Sequence, residues 1–246
     1  MRKQILAAAI AALAVSGVAV AHEAGDVILR VGVAHVAPDV NSGKINVSGV
    51  GKLGGSKADV ESNTQLGLTG TYIIAPHFGI EVLAATPFTH SIKVKGADAA
   101  LRKVANLTEA QLPDGTVNGK FGKATHLPPT VSAQFFFLDP KSKFQPYVGL
   151  GLNYTWFYNE SLSSKEKTAG FRGLDLDNSW GWAAQLGADI ALTDSLFLNA
   201  AVWKIDINTK AKTKNTNPAL GTNNTPVKVD VEVDPWVYFF GVGYKF

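Results

Sequence analysis

The sequence predicts an all-β chain, an eight-stranded antiparallel barrel that crosses a membrane, with short turns at one end and long loops at the other. Three observations predict it. Eight segments of about ten or more residues, the length a tilted membrane strand needs, place apolar side chains at every second position. The connectors between them alternate long and short in strict order, whereas a soluble β-sandwich shows shorter strands at regular spacing. The last segment carries an unbroken row of Trp236, Tyr238, Phe240, Val242, Tyr244 and Phe246.

Successive side chains of a strand point to opposite faces, so each segment has two rows. In residues 26–36, Val27, Leu29, Val31 and Val33 oppose Ile28, Arg30, Gly32 and Ala34. A long polar connector, 38–62, leads to 64–74, with Leu66, Leu68, Tyr72 and Ile74 against Gln65, Gly67, Thr69 and Thr71. The short link 75–78 turns into 79–94, where Ile80, Val82 and Ala84 oppose Glu81, Leu83 and Ala85. The second long connector, 95–124, has a middle (98–109) suited to a turn or two of helix. The fourth segment, 125–137, sets Val131, Ala133, Phe135 and Phe137 against Thr130, Ser132 and Gln134.

After the link 138–144, segment 145–158 aligns Val148, Leu150, Leu152, Tyr154, Trp156 and Tyr158 against Tyr147, Gly149, Gly151 and Asn153. The third long connector, 159–177, precedes 178–190, where Trp180, Trp182, Ala184, Leu186 and Ile190 oppose Gly181, Ala183, Gln185, Gly187 and Asp189. A tight link, 192–195, gives way to 196–211. The last connector, 212–225, is rich in Asn, Thr and Lys, and the C-terminal strand closes the series. An even strand count puts both termini on the same side of the membrane.

Residues 1–21 read as a cleaved secretory signal, with basic Arg2 and Lys3, an apolar run and an Ala19-Val20-Ala21 cleavage site, leaving 22–246 as one barrel domain. Losing Arg2 and Lys3 takes the formal charge from +3 to +1, which leaves no basic footprint for nucleic acid. Cysteine is absent, which removes disulfides, thiolate metal sites and a cysteine nucleophile. Beyond residue 21 no apolar run is long enough for a membrane helix, and a barrel is the other structure that can span lipid.

If the apolar rows face lipid, the opposite rows face inward. Arg30, Glu81, Asp189 and Lys245, with Gln65, Gln134, Gln185 and Asn199 nearby, form an expected polar plug in the lower half. A proton or ion pathway is the competing use of the same groups. Higher up, Leu83, Trp203, Ile205, Val237 and Phe239 form an apolar stretch unlike the lining of a water-filled pore. Two readings of it stand: a pocket for a hydrophobic molecule, or Trp203 filling the bore as packing.

Pro87 lies on the third strand and Pro128 and Pro129 on the fourth, its neighbour. Proline cannot donate to a ladder, so these three are expected to open a lateral gap in the wall. Pro38 and Pro235 either loosen the first-to-eighth seam or mark strand ends. No metal-binding histidine spacing and no G-x-S-x-G are present, so neither cofactor nor metal is expected. Barrels that act on lipids leave an extracellular His/Ser/Asp site around His90 or His126 as the enzyme alternative.

Several stretches resemble the outer-membrane protein W family, OmpW and the AlkL-like alkane-uptake proteins: HEAGD (22–26), NTQLGLTGTY (63–72), GIEVLAATPFTH (79–90), HLPPT (126–130), QPYVGLGLNYT (145–155), NSWGWAAQLGAD (178–189), VWKIDI (202–207) and DPWVYFFGVGYKF (234–246). The departures fall in the second and fourth long loops. The resemblance implies a Gram-negative outer-membrane barrel whose narrow hydrophobic channel is closed toward the periplasm, with Leu83 and Trp203 at its constriction. It implies passive uptake of small hydrophobic molecules with lateral release into the membrane, without enzymatic chemistry. The expected surroundings are outer-membrane lipid and lipopolysaccharide, and the strand ending in Phe246 resembles the signal read by the barrel-assembly machinery. The alternative function is a structural or stress-related surface protein serving as phage or bacteriocin receptor.

Overall fold

The computed structural model describes residues 22–217 and 223–246; the expected signal, residues 1–21, lies outside them. The chain begins with β1 (Val27–Ala37), the two-residue pieces β2 (Asn41–Ser42), β3 (Asn46–Val47) and β4 (Gly51–Lys52), then β5 (Lys57–Val60) and β6 (Asn63–Ala75). It continues with β7 (Phe78–Ala85), β8 (Phe88–Lys95), helix α1 (Ala97–Ala105), β9 (Gly119–Leu127), β10 (Thr130–Phe136) and β11 (Phe144–Leu162). Helix α2 (Ser164–Thr168), β12 (Phe171–Leu176), β13 (Ser179–Ala191), β14 (Leu196–Ile205), β15 (Asn208–Asn215), β16 (Thr225–Glu232) and β17 (Trp236–Lys245) complete it.

Eight of these strands close a barrel in the order β10-β7-β6-β1-β17-β14-β13-β11, with β11 returning to β10, and every pairing is antiparallel. The first and last strands zip without interruption from Ile28↔Lys245 to Ala37↔Trp236. Pro38 and Pro235 therefore mark strand ends. That zipper needs close backbone approach where Gly32 meets Gly241, since a Cβ on Gly32 would lie 2.2 Å from the Phe240 carbonyl oxygen.

The outward rows are bare: Trp180 is 72% exposed and Leu150 71%, within a girdle of exposed Val, Leu, Ile, Phe, Trp and Tyr from the barrel strands other than β14, whose outward Leu198 and Val202 are half-buried. Water would penalise such a surface heavily, and lipid does not. The inward rows are buried, as the two-residue period requires.

Four of the long segments do not run unbroken. The third divides between β7 and β8 at Thr86-Pro87, the fourth between β9 and β10 at Pro128-Pro129, the seventh between β14 and β15, and the last between β16 and β17 before Pro235. The upper pieces leave the barrel and build a cap. Sheet β5-β8-β9 joins the upper part of β11, while β12-β15-β16-β3-β4 forms a second sheet. They enclose a core of their own, including Ile45, Leu53, Val94, Val117, Phe121 and Phe171. The expected helix in the second connector is α1, moored by Asp98, whose carboxylate accepts from the backbone N–H groups of Gly115 and Val117 at 2.7 Å each.

Candidate functional site

The interior is layered from the short-turn end upward. At the bottom the His22 ring packs at a tilt against Phe136 and edge-on against Phe197, with ring centroids 5.0 and 5.5 Å apart, next to Ile28, Ile73 and Tyr147. Composition gave no reason to place His22 inside a barrel. The Gly25 turn returns the preceding segment to the wall through the Gly25 N–H on the Ile73 carbonyl at 2.8 Å.

Above it lies a fully buried polar layer. Arg30 Nε donates to Asp189 Oδ1 at 2.9 Å, and its Nη1 donates to Thr71 Oγ1 at 2.7 Å and to Glu81 Oε2 at 3.5 Å. Gln185 donates to Glu81 Oε1 at 2.9 Å, Gln134 donates to Gln185 at 3.1 Å, and Asn199 donates to Asp189 at 2.8 Å and to the Tyr147 hydroxyl at 2.9 Å. One guanidinium thus serves two carboxylates from two strands, while Asn199 and two glutamines meet the remaining acceptors. Lys245, expected in this layer, pairs instead with Asp26 at 3.5 Å. It stands at the last ladder position of β17, opposite Ile28 near the start of β1. Gln65 is likewise displaced: it sits at the upper end of β6, bonded to Asn63 and Thr86, and the inward places lower on that strand belong to Thr69 and Thr71.

The next layer is apolar. Leu83, Trp203, Ile205, Val237 and Phe239 come together in one buried cluster with Val36, Phe88, Ala201 and Ile207. Trp203 is 1% exposed and meets Phe239 edge-on, with centroids 6.2 Å apart at 87°. The Phe239 ring has room because Gly67 and Gly241 lie against it; a Cβ on either would come within 3.0 and 2.7 Å of ring carbons. These side chains fill the bore and so form a floor. The open space lies above them: a cavity of about 160 Å³ lined by Val36, Ile45, His90, His126, Phe157 and Ile207 among others, and not by Leu83 or Trp203.

The proline seam lies where floor and cavity meet. The β7–β10 ladder ends at Leu83↔Thr130, and the β8–β9 ladder resumes at Phe88↔His126. Between them residues 84–87 face 127–129 with no ladder pair. Asn153, fully buried, donates through Nδ2 to the Pro128 carbonyl at 3.1 Å, the Pro129 carbonyl at 3.2 Å and Thr130 Oγ1 at 2.9 Å. It reinforces carbonyls that have other donors, since the Pro129 carbonyl also accepts from the Tyr154 N–H at 3.1 Å and the Pro128 carbonyl from Thr130 Oγ1 at 3.2 Å, a clamping role its place in a Gly-rich strand did not reveal.

At the cavity edge, in the cap beyond the barrel wall, the rings of His90 and His126 stack 5.0 Å apart at 22°. Burial pushes the His126 imidazole down to about 3, with His90 beside it adding to the effect, and burial also lowers His90. Among the described residues no serine or carboxylate is hydrogen-bonded to either ring, so the enzyme alternative lacks its geometry there. Among the described residues, no group of three or more His, Asp or Glu is placed to hold a metal ion.

The chain matches the OmpW family over residues 23–246. It is similar to the Outer membrane protein W of Vibrio cholerae, with 41% identity over 247 residues spanning all of both chains. The crystal structure of OprG from Pseudomonas aeruginosa superposes with a TM-score of 0.80 at 44% identity, covering 92% of this chain and 98% of that one. A further relative, named Dibenzothiophene metabolism operon protein PahQ, from Pseudomonas aeruginosa, is 28% identical over 218 residues, 88% of this chain and 87% of that protein. The chain, a closed eight-stranded barrel with a lipid-facing girdle, belongs to the OmpW family of Gram-negative outer-membrane proteins.

Proposed function

We propose that this barrel admits small hydrophobic molecules passively from the extracellular side and releases them sideways into the outer membrane. The observation that carries this reading is the meeting of three features at one level: an apolar cavity under the cap, a floor packed shut by Trp203, Phe239 and Leu83, and an unpaired stretch of wall at Pro87, Pro128 and Pro129. A solute that reaches the floor finds no continuous bore below it, because the Arg30–Asp189–Glu81 layer is saturated with its own hydrogen bonds. The wall beside it is the exit that requires no ladder bond to break. The relative named for a dibenzothiophene metabolism operon supports a role with apolar compounds.

In this reading Leu83 and Trp203 act as the stop that turns the ligand, and Pro87, Pro128 and Pro129 frame the opening. Outer-membrane lipid and lipopolysaccharide surround the girdle, and the strand ending in Phe246 is the segment offered to the assembly machinery. The experiment uses the absence of native cysteine. With Thr86→Cys and Pro128→Cys joined by a short dithiol-reactive cross-linker, uptake of a hydrophobic tracer by intact cells stops and returns when a cleavable linker is cut. Undiminished flux through the linked protein overturns lateral release.

A further inference from the structure

The cavity is mostly apolar, and among its polar lining residues two carry buried atoms that are not satisfied. His90 is 4% exposed and His126 6%, both line the cavity, and His90 Nε2 and His126 Nδ1 are buried without a hydrogen-bond partner. Burying a polar atom unpaired costs free energy that a suitable partner would recover.

The chemistry of that partner follows from the other nitrogen of His90. Its Nδ1 lies 2.5 Å from the Glu61 carbonyl oxygen, which can only accept, so Nδ1 carries the proton. In the neutral imidazole Nε2 is then an acceptor and requires a donor from the ligand. The His126 ring is held parallel to it between Phe88 and Phe157, with centroid distances of 5.6 and 5.5 Å, so both rings are fixed rather than free to turn toward solvent.

We propose that His90 and His126 form a polar subsite in the extracellular cavity that selects small apolar molecules carrying a single hydroxyl, phenols and short alcohols, over the corresponding hydrocarbons. A hydroxyl is the smallest group that donates to one nitrogen and can accept from another. The cavity volume, about 160 Å³, is of the size that holds a benzene-like ring. The subsite stands one ladder pair above the seam, since His126 opposes Phe88 at its upper edge. A ligand held there has its polar end anchored and its apolar body over the Trp203 floor. The inference deepens the uptake reading and rests on it.

The test uses p-cresol and p-xylene, which differ by a hydroxyl in place of a methyl group, and the full mature chain refolded into phosphatidylcholine nanodiscs with 15N-labelled histidine. p-Cresol is expected to bind about threefold to tenfold more tightly than p-xylene after correction for partition into the bilayer, the worth of one or two buried hydrogen bonds. It is also expected to move the His90 Nε2 resonance, which p-xylene leaves in place. In His90→Leu/His126→Leu the preference falls to about one. If the double variant does not fold, the resonance in the unaltered protein decides. Equal binding of both compounds with unmoved histidine signals, or a preference that survives the double substitution, overturns the subsite and leaves the apolar cavity standing. If neither compound binds, the subsite and the uptake reading fall together.

Discussion

Arg30 on β1 and Asp189 on β13 meet inside the barrel through Nε and Oδ1 at 2.9 Å, with a second contact from Nη2 to Oδ2, and neither side chain touches solvent. Two strands that are not neighbours in the wall are thereby tied across its lumen. Such a pair contributes little against an apolar alternative, but removing one member strands the other. Asp189→Asn is therefore expected to lower stability by about 3–5 kcal/mol, read as a fall in the urea midpoint in micelles. The same variant is expected to raise the ion conductance in planar bilayers, where the unaltered barrel stays closed.

Trp203→Ala removes the largest piece of the cavity floor. Truncating a buried aromatic costs about 3–5 kcal/mol, and the void is expected to extend the cavity above it, which Trp203 itself does not line. The variant is expected to unfold earlier and to bind naphthalene, which the unaltered cavity admits poorly. A stability loss with no change in the size of ligand bound would show that Trp203 is packing alone.

Asn153→Leu keeps the volume and loses three hydrogen bonds to the proline seam. Losing those bonds, with the Pro129 carbonyl still held by the Tyr154 N–H and the Pro128 carbonyl by Thr130 Oγ1, costs about 1–3 kcal/mol. Deuterium exchange is expected to rise at the start of β10, at Thr130 and Val131, and to stay constant where β1 pairs with β17. Uniform exchange across both seams would remove Asn153 from its assigned role.

The cap carries two groups with opposite responses to acid. Burial pushes Glu166 of α2 up to about 7, with Lys165 at 3.1 Å pulling it back only in part. The folded cap thus holds this proton more tightly than the unfolded chain, and stability from this group grows as pH falls from about 7 toward its ordinary 4.5. His126, lowered to about 3, behaves the other way: the unfolded chain takes up a proton first, and stability is lost as pH falls from its ordinary 6.5 toward 3. Glu166→Gln should remove the gain and His126→Phe the loss, measured as pH-dependent proteolysis of the cap. Identical pH profiles in both variants would contradict these environments.

Phe246 is exposed at the end of the outward row, and its N–H donates to the Val27 carbonyl at 2.9 Å. A lipid-facing terminal ring adds little to a formed barrel. Its deletion is expected to leave urea stability within about 1 kcal/mol, as surface changes do, while lowering the amount of barrel assembled in cells. Equal losses in micelles and cells would make Phe246 a structural residue only.

The two-residue period made the barrel legible, because parity alone assigns Leu83, Trp203 and Arg30 inward and Trp180 and Leu150 to lipid. Parity fails where a strand ends. Lys245 has the inward parity but stands where the barrel opens and Asp26 is at hand, and Gln65 has it at the wrong end of β6. The cap was illegible for a different reason: its core joins Ile45, Phe121 and Phe171 from three connectors with Val227 just past the fourth, through pairings of long sequence separation that no local pattern announces. His22 was hidden because its place depends on a turn and two rings, Phe136 and Phe197, far along the chain.

The cap changes what the outside world meets. Its second sheet sets β12, β15, β16 and β3 side by side, so neighbouring surface positions belong to connectors separated by most of the chain. An antibody raised against any one loop as a linear peptide would meet only a strip of its epitope, whereas one raised against the folded barrel would read several loops at once and lose its target on denaturation.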